Sequence, residues 1–102
     1  MVEHPSKQEI LEQTRKIAVD MLRAYSVKLY LFGSWARGES ARHSDIDLAV
    51  DSDRPLPPGI LSLLRERFEE SRIPYRVEVV DLRHSNSSFR KRVLQEGIVW
   101  KD

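Results

Sequence analysis

A short mixed β-sheet of about three strands flanked by helices, α/β in class and α+β in layout, is the fold this sequence predicts. Three observations predict it. Apolar residues at helical spacing alternate with extended apolar runs along the 102 residues. The extended runs are few and short, so their apolar faces need helices against them. No repeat, low-complexity segment or linker interrupts the chain, and a single domain over residues 1–102 is expected from a length this close to the common domain size.

The elements follow in order. Pro5-Ser6-Lys7-Gln8-Glu9 reads as a helix start, with Ser6 as cap and Glu9 three residues on. Ile10, Ile17, Ala18, Met21 and Leu22 then form one apolar stripe on a helix expected to end near Tyr25. Residues 27–32 form an apolar strand interrupted only by Lys28, and residues 45–50 a second. The loop from Asp51 to Pro58 ends that strand, because its three prolines, Pro55, Pro57 and Pro58, cannot continue a ladder. A helix is expected over residues 58–71 with Leu61, Leu64 and Phe68 on one face, then a third strand over 75–80. A last helix over 89–96 has Gly97 suited to its C-terminal cap. The apolar tail Ile98-Val99-Trp100 follows. It is a candidate for partner contact or for packing back onto the sheet.

Composition narrows the function. Seventeen Lys and Arg against 16 Asp and Glu leave a formal charge of +1. This gives no general attraction to nucleic acid or membrane, and no stable nucleic-acid binding is expected. Cysteine is absent, which removes disulfides, thiol catalysis and zinc–thiolate sites. No apolar run approaches the roughly 20 residues of a membrane span, and the first residues lack the apolar stretch of a secretory signal. The cytoplasm is the expected compartment.

The chemistry concentrates in Ser44-Asp45-Ile46-Asp47-Leu48-Ala49-Val50. Alternate side chains of a strand share a face, so Asp45 and Asp47 point one way while Ile46 and Leu48 point into the core. Two carboxylates held this close repel each other and resist desolvation. A hard divalent cation resolves the conflict, and magnesium suits carboxylates combined with phosphates. Two ions could be bridged by such a pair. An isolated Asp-x-Asp is more often a solvated edge; here the apolar opposite face gives the acids a structured support.

Strand one runs directly into Phe32-Gly33-Ser34-Trp35-Ala36-Arg37-Gly38. Gly33 allows a sharp turn or a close backbone approach. Ser34 can cap a short following helix, whose free amides favour phosphate oxygens, or donate its own hydroxyl to a phosphate. A plain turn and cap is the alternative. The spacing GxxxxGK[ST] of a P-loop is absent.

Gly33-Ser34, ten residues, then Asp45-Ile46-Asp47 resembles the signature of the DNA polymerase beta-like nucleotidyltransferase superfamily. The fuller strings Gly33 to Gly38 and Ser44 to Val50 resemble its minimal branch, the MNT-domain (MntA-like) antitoxins. The similarity extends to Glu78-Val79-Val80-Asp81-Leu82 and to Glu96-Gly97-Ile98. The resemblance implies that Gly33 and Ser34 hold the triphosphate of ATP and that Asp45 and Asp47 ligate magnesium. The family takes a third carboxylate from the next core strand, commonly Asp. Here the matching position is Glu78, a methylene longer, which serves as metal ligand or as base, weakens catalysis, or else simply pairs with Arg76 or another surface cation. Alternation also puts Glu78 on a face with Arg76 and Val80, opposite Val77, Val79 and Asp81.

Arg37 belongs to the matched string and is the phosphate-binding candidate. Arg42 and His43 in the same loop have either a phosphate or a solvent role, while His4 and His84 have none. Trp35, Trp100 and the tyrosines invite a base-stacking reading, but such residues in small proteins are more often core or interface groups. Arg90-Lys91-Arg92 reads as the exposed side of a helix carrying Phe89, Val93 and Leu94 inward.

Larger members of the superfamily carry added domains that grip the acceptor, and a chain of this length has no room for one. The resemblance therefore implies an enzyme that transfers AMP to a tyrosine of a helical HEPN toxin, the two proteins forming a hetero-oligomer. Two alternatives stand beside it: a non-catalytic subunit that neutralises its partner by contact, and a small-molecule nucleotidyltransferase.

Overall fold

The computed structural model of the chain describes residues 5–40 and 44–102. Its elements run α1 (Lys7–Leu22), β1 (Lys28–Phe32), β2 (Ile46–Asp51), α2 (Ile60–Glu69), β3 (Val77–Asp81), a short 3-10 turn (Leu82–His84), α3 (Ser87–Glu96) and β4 (Ile98–Lys101). Among the described residues these strands form one sheet in the order β3-β2-β1-β4. The β2–β3 pair is parallel, while β1 pairs antiparallel with both β2 and β4. The sheet is mixed, as the sequence predicts.

It has one strand more than the expected three. The tail is β4, lying along the otherwise open edge of β1, with a bulge where the partner of Leu29 is Lys101 and that of Tyr30 is Val99. The bulge leaves Trp100 without a position of its own in the ladder and tucks it into the core at 9% exposure. Trp100 therefore packs onto its own sheet. Ile98 and Val99 stay about half exposed, at 46% and 47%.

Helices cover both faces. Ser6 caps α1 by accepting from the Glu9 N–H at 3.1 Å, and Ile10, Ala18 and Leu22 of that helix are buried with Leu61, Leu64 and Phe68 of α2. From the sheet, Leu29, Leu31, Ile46, Leu48, Val50 and Val79 complete this core. Thr14 is buried in α1 and donates its hydroxyl to the Ile10 carbonyl at 2.7 Å, so its polar atom is not stranded.

The second face is covered only in part. There Tyr30 and Ala49 meet Leu82 and Val93, with Phe32 and Phe89 packed alongside. The Phe32 and Phe89 rings meet edge to face at 5.6 Å between centroids. Arg90, expected on the solvent side of α3, instead donates to Asp51 at 2.8 Å and fastens α3 to the far end of β2. Leu94, expected inward, is 37% exposed. The difference arises because α3 rests on a narrow strip of sheet, and Phe89 and Val93 alone fill it.

Gly97 closes α3, but in an extended conformation (φ −74°, ψ 152°) and not the left-handed one its type suggests. Space is what it supplies. A Cβ at this position would lie 2.6 Å from the Val93 carbonyl oxygen and 3.3 Å from the Tyr30 Cβ. Gly97→Ala is therefore expected to destabilise the fold by about 1–3 kcal/mol through crowding alone. Denaturant unfolding checks this, and unchanged stability would refute the packing account.

Candidate active site

Strand register brings the site together. Across one level of the sheet, Asp47 of β2 pairs with Phe32 of β1 on one side and Glu78 of β3 on the other. Paired residues of neighbouring strands share a face, so strand register sets Glu78 beside Asp47. Asp45 sits one residue ahead of β2, near enough for its charge to act on Asp47. Asp81 is engaged elsewhere, where its carboxylate accepts from the Arg83 N–H at 3.0 Å and caps the 3-10 turn.

The turn after β1 completes the arrangement. Gly33 has φ +76°, in the left-handed region that glycine tolerates. The chain also doubles back so closely over β2 that a Cβ on Gly33 would fall onto the Asp47 carboxylate, 3.2 Å from Cγ. Gly33 is thus required twice, for its conformation and for its missing side chain. The expected helix after Ser34 is instead a series of tight turns. Ala36 and Arg37 both donate to the Gly33 carbonyl, at 3.1 and 3.2 Å, and Glu39 donates to that of Ser34 at 2.9 Å. With no helix there, the helix-end contribution to phosphate binding falls away. The turn amides and the Ser34 hydroxyl remain as donors.

The electrostatics converge on Asp47. Burial pushes its carboxyl above the ordinary range; the charge of Glu78 and then that of Asp45 push the same way, and the Arg37 guanidinium opposes them. Arg37 itself is exposed and pairs with Glu39 at 2.9 Å. It is near enough to act on Asp47 and free enough at its terminal nitrogens to meet a phosphate. Arg42 and His43 lie outside the described residues.

Trp35 belongs to the scaffold of the site and offers no open stacking surface. It is 5% exposed, donates from its indole Nε1 to the Ser44 carbonyl at 3.1 Å, and meets the Tyr75 ring edge-on at 4.9 Å. A tryptophan buried to this degree contributes about 4–6 kcal/mol of apolar transfer free energy before entropy is counted. Sequence reading misses the Ser44 bond, because nothing in a strand pattern announces a contact across a loop.

The residues fit a magnesium–nucleotide group in chemistry. No three acids or histidines among the described residues close into a preformed cage. Magnesium binds through one or two carboxylates together with substrate phosphates, not through an all-protein cage. A half-buried acid crowded by two others, facing a glycine turn with its own donors, offers that incomplete set.

Fold and site together define a nucleotide-transferring core, with paired acids on a strand and a glycine turn pressed against them. Residues 8–101 match the family described as polymerase beta, nucleotidyltransferase. The chain belongs to that family and is a nucleotidyltransferase. It is 32% identical over 93 residues to the probable protein adenylyltransferase MntA of Haemophilus influenzae, covering 91% of this chain and 80% of that one. It is 29% identical to a putative protein adenylyltransferase of Methanocaldococcus jannaschii, covering 90% and 91%. A crystal structure of a toxin–antitoxin with AMP-PNP superposes with a TM-score of 0.70 at 28% identity, covering 85% of this chain and 72% of that one.

The raised Asp47 pKa has a consequence for stability. A carboxyl whose folded pKa lies above its unfolded value contributes stability that is complete below the unfolded pKa and lost as pH rises through the folded one. Asp47→Asn stays neutral throughout. At pH 7 in EDTA it is expected to melt a few degrees above the wild type, with the gap closing towards pH 4. Thermal unfolding at the two pH values decides. A variant no more stable than wild type at pH 7 would refute the crowding.

Proposed function

We propose that this protein transfers AMP from ATP to a tyrosine hydroxyl of a helical HEPN-type toxin, acting in the cytoplasm as the antitoxin of a two-component system. The observation that carries the proposal is the sheet level at which Asp47 and Glu78 pair beside Asp45, with Gly33 pressed against them. Relatives named as protein adenylyltransferases and a solved toxin–antitoxin neighbour support the choice of a protein acceptor.

The family resemblance and the shared sheet level support the following roles. Gly33, the turn amides and the Ser34 hydroxyl hold the phosphates, and Arg37 meets them from the solvent side. Asp45 and Asp47 hold magnesium, with Glu78 as a third ligand or as base. Bound magnesium, in one or two ions, neutralises charge on the triphosphate and lowers the pKa of the attacking hydroxyl. In the reaction the tyrosine oxygen forms a bond to the α-phosphorus. The bond from that phosphorus to the α–β bridging oxygen breaks, and pyrophosphate departs with the electron pair. The hydroxyl proton passes to a carboxylate; the exposure of Glu78, greater than that of Asp45 or Asp47, supports it as the base that takes that proton. The half-exposed Ile98 and Val99 of β4 supply an apolar edge for the partner.

One observation favours a second reading. Glu78 is exposed and a methylene longer than the family's usual Asp, which suits a protein that has kept nucleotide binding and neutralises its partner by contact.

Incubation with ATP, magnesium and the co-encoded neighbour distinguishes the two. The partner is expected to gain about 329 Da for each AMP added and to stay inactive after this protein is removed. Asp45→Asn combined with Asp47→Asn should lower the transfer rate by at least about 100-fold with the fold kept. A partner of unchanged mass that regains activity on separation would replace the enzyme reading by the contact reading.

A further inference from the structure

Asp45 and Asp47 are held by different means. Asp47 lies inside the ladder, paired with Phe32 and Glu78, so sheet pairing sets its position. Asp45 precedes β2, and no ladder pair includes it. Its backbone neighbour Ile46 donates to the Arg76 carbonyl at 2.9 Å on one side. On the other side, the residue before it, Ser44, offers its carbonyl to the Trp35 indole N–H at 3.1 Å.

Trp35 touches every segment that the site depends on. It lies two residues after Gly33, within the glycine turn. Its indole N–H reaches Ser44, which leads into the acids. Its ring packs edge-on against Tyr75, at 4.9 Å and an interplanar angle of 78°, and Tyr75 leads into the strand that carries Glu78. The Lys7 ammonium of α1 lies 5.8 Å from the ring centroid and donates to the Ser40 carbonyl at 2.8 Å, so the loop after the turn is tied to the same place. A buried indole N–H needs an acceptor, and here the acceptor is the carbonyl of the residue that leads into Asp45.

We infer that Trp35 is the positioning residue of the metal site: through its indole N–H it fixes Asp45 relative to the glycine turn, so that the acid meets a magnesium ion already carrying phosphates. The inference rests on the proposed magnesium–ATP site. It assigns Trp35 no contact with nucleotide or acceptor. The ring supplies the packing and the N–H supplies the alignment, and the two contributions can be separated chemically.

The test is titration of the full chain with AMP-PNP by calorimetry at a series of magnesium concentrations. Two variants remove the donor: Trp35→Phe, and incorporation at position 35 of benzothienylalanine, the tryptophan isostere with sulfur in place of N–H. The isostere keeps the ring contacts with Tyr75 and Lys7, and so keeps the test valid if Trp35→Phe fails to fold. The donor-free protein is expected to need about three- to tenfold more magnesium for half-maximal AMP-PNP binding, the effect of one lost hydrogen bond, with nucleotide binding in EDTA unchanged. In an Asp45→Asn background, removing the donor should add nothing further, because the two changes act on one interaction. An unchanged magnesium requirement, or a full additional loss in that background, would overturn the inference while leaving the functional reading intact. Wild-type protein that binds no AMP-PNP in magnesium would overturn the functional reading itself, and the inference with it.

Discussion

Mutual repulsion of acids around Asp47 is the constraint on which the rest of this structure depends. A half-buried carboxylate beside Glu78 and Asp45 is held in an unfavourable state by the fold, and like charges in a region of reduced dielectric cost free energy that must be offset elsewhere. The offset lies on the opposite face. Ile46, Leu48 and Val50 of the same strand are completely buried against α1 and α2. The strand that carries the acids is therefore among the most firmly anchored pieces of the molecule. A site that must hold its groups against repulsion needs a rigid support.

The same constraint explains why the second face is only half covered. α3 is fastened at the far end of β2 by Arg90 and Asp51 and along its length by Val93 and Phe89. A helix lying over the acid end would strip water from Asp45, Asp47 and Glu78 together. Phe32 and its edge-on partner Phe89 mark the boundary, since Phe32 is the register partner of Asp47. Apolar cover stops there, and the charged, open part of the sheet begins. Gly33 then brings backbone against the acid where any side chain would collide with it.

How much of this is legible in the sequence depends on the range of the interaction concerned. Alternation within β2 puts Asp45 and Asp47 on one face, and the same argument within β3 selects Glu78 over Asp81. These are period-two statements that need no knowledge of neighbours. The pairing of Asp47 with Glu78 is a matter of strand order and register, which period alone does not set. β4 reads as a tail because four residues carry too little pattern to announce a strand, and its pairing depends on an edge of β1 far away along the chain. Arg90 reads as solvent-facing from its place in a basic run, but its long side chain reaches the Asp51 carboxylate at 14% exposure. Gly97 suggests the usual reason for a glycine at a helix end, whereas the structure uses it for close approach. Each of these differences is a tertiary contact overriding a local rule.

Function and stability are consequently opposed at this site, and the opposition explains its form. Neutralising Asp47 would relieve the fold and leave the sheet without the charge that the proposed cation would need. Keeping the charge leaves the nucleotide-free protein less stable than its core alone would make it. A ligand that neutralises the acids then stabilises the folded state by an amount that grows with the logarithm of its affinity, since it binds the assembled face and not the unfolded chain. The fold meets this requirement by unequal support. The acid that most needs holding, Asp47, is placed within the ladder, and the residue before Asp45, Ser44, accepts from the indole of Trp35 in the glycine turn. Thus the glycine turn and the segment that leads into the acids are joined by a hydrogen bond between side chain and backbone.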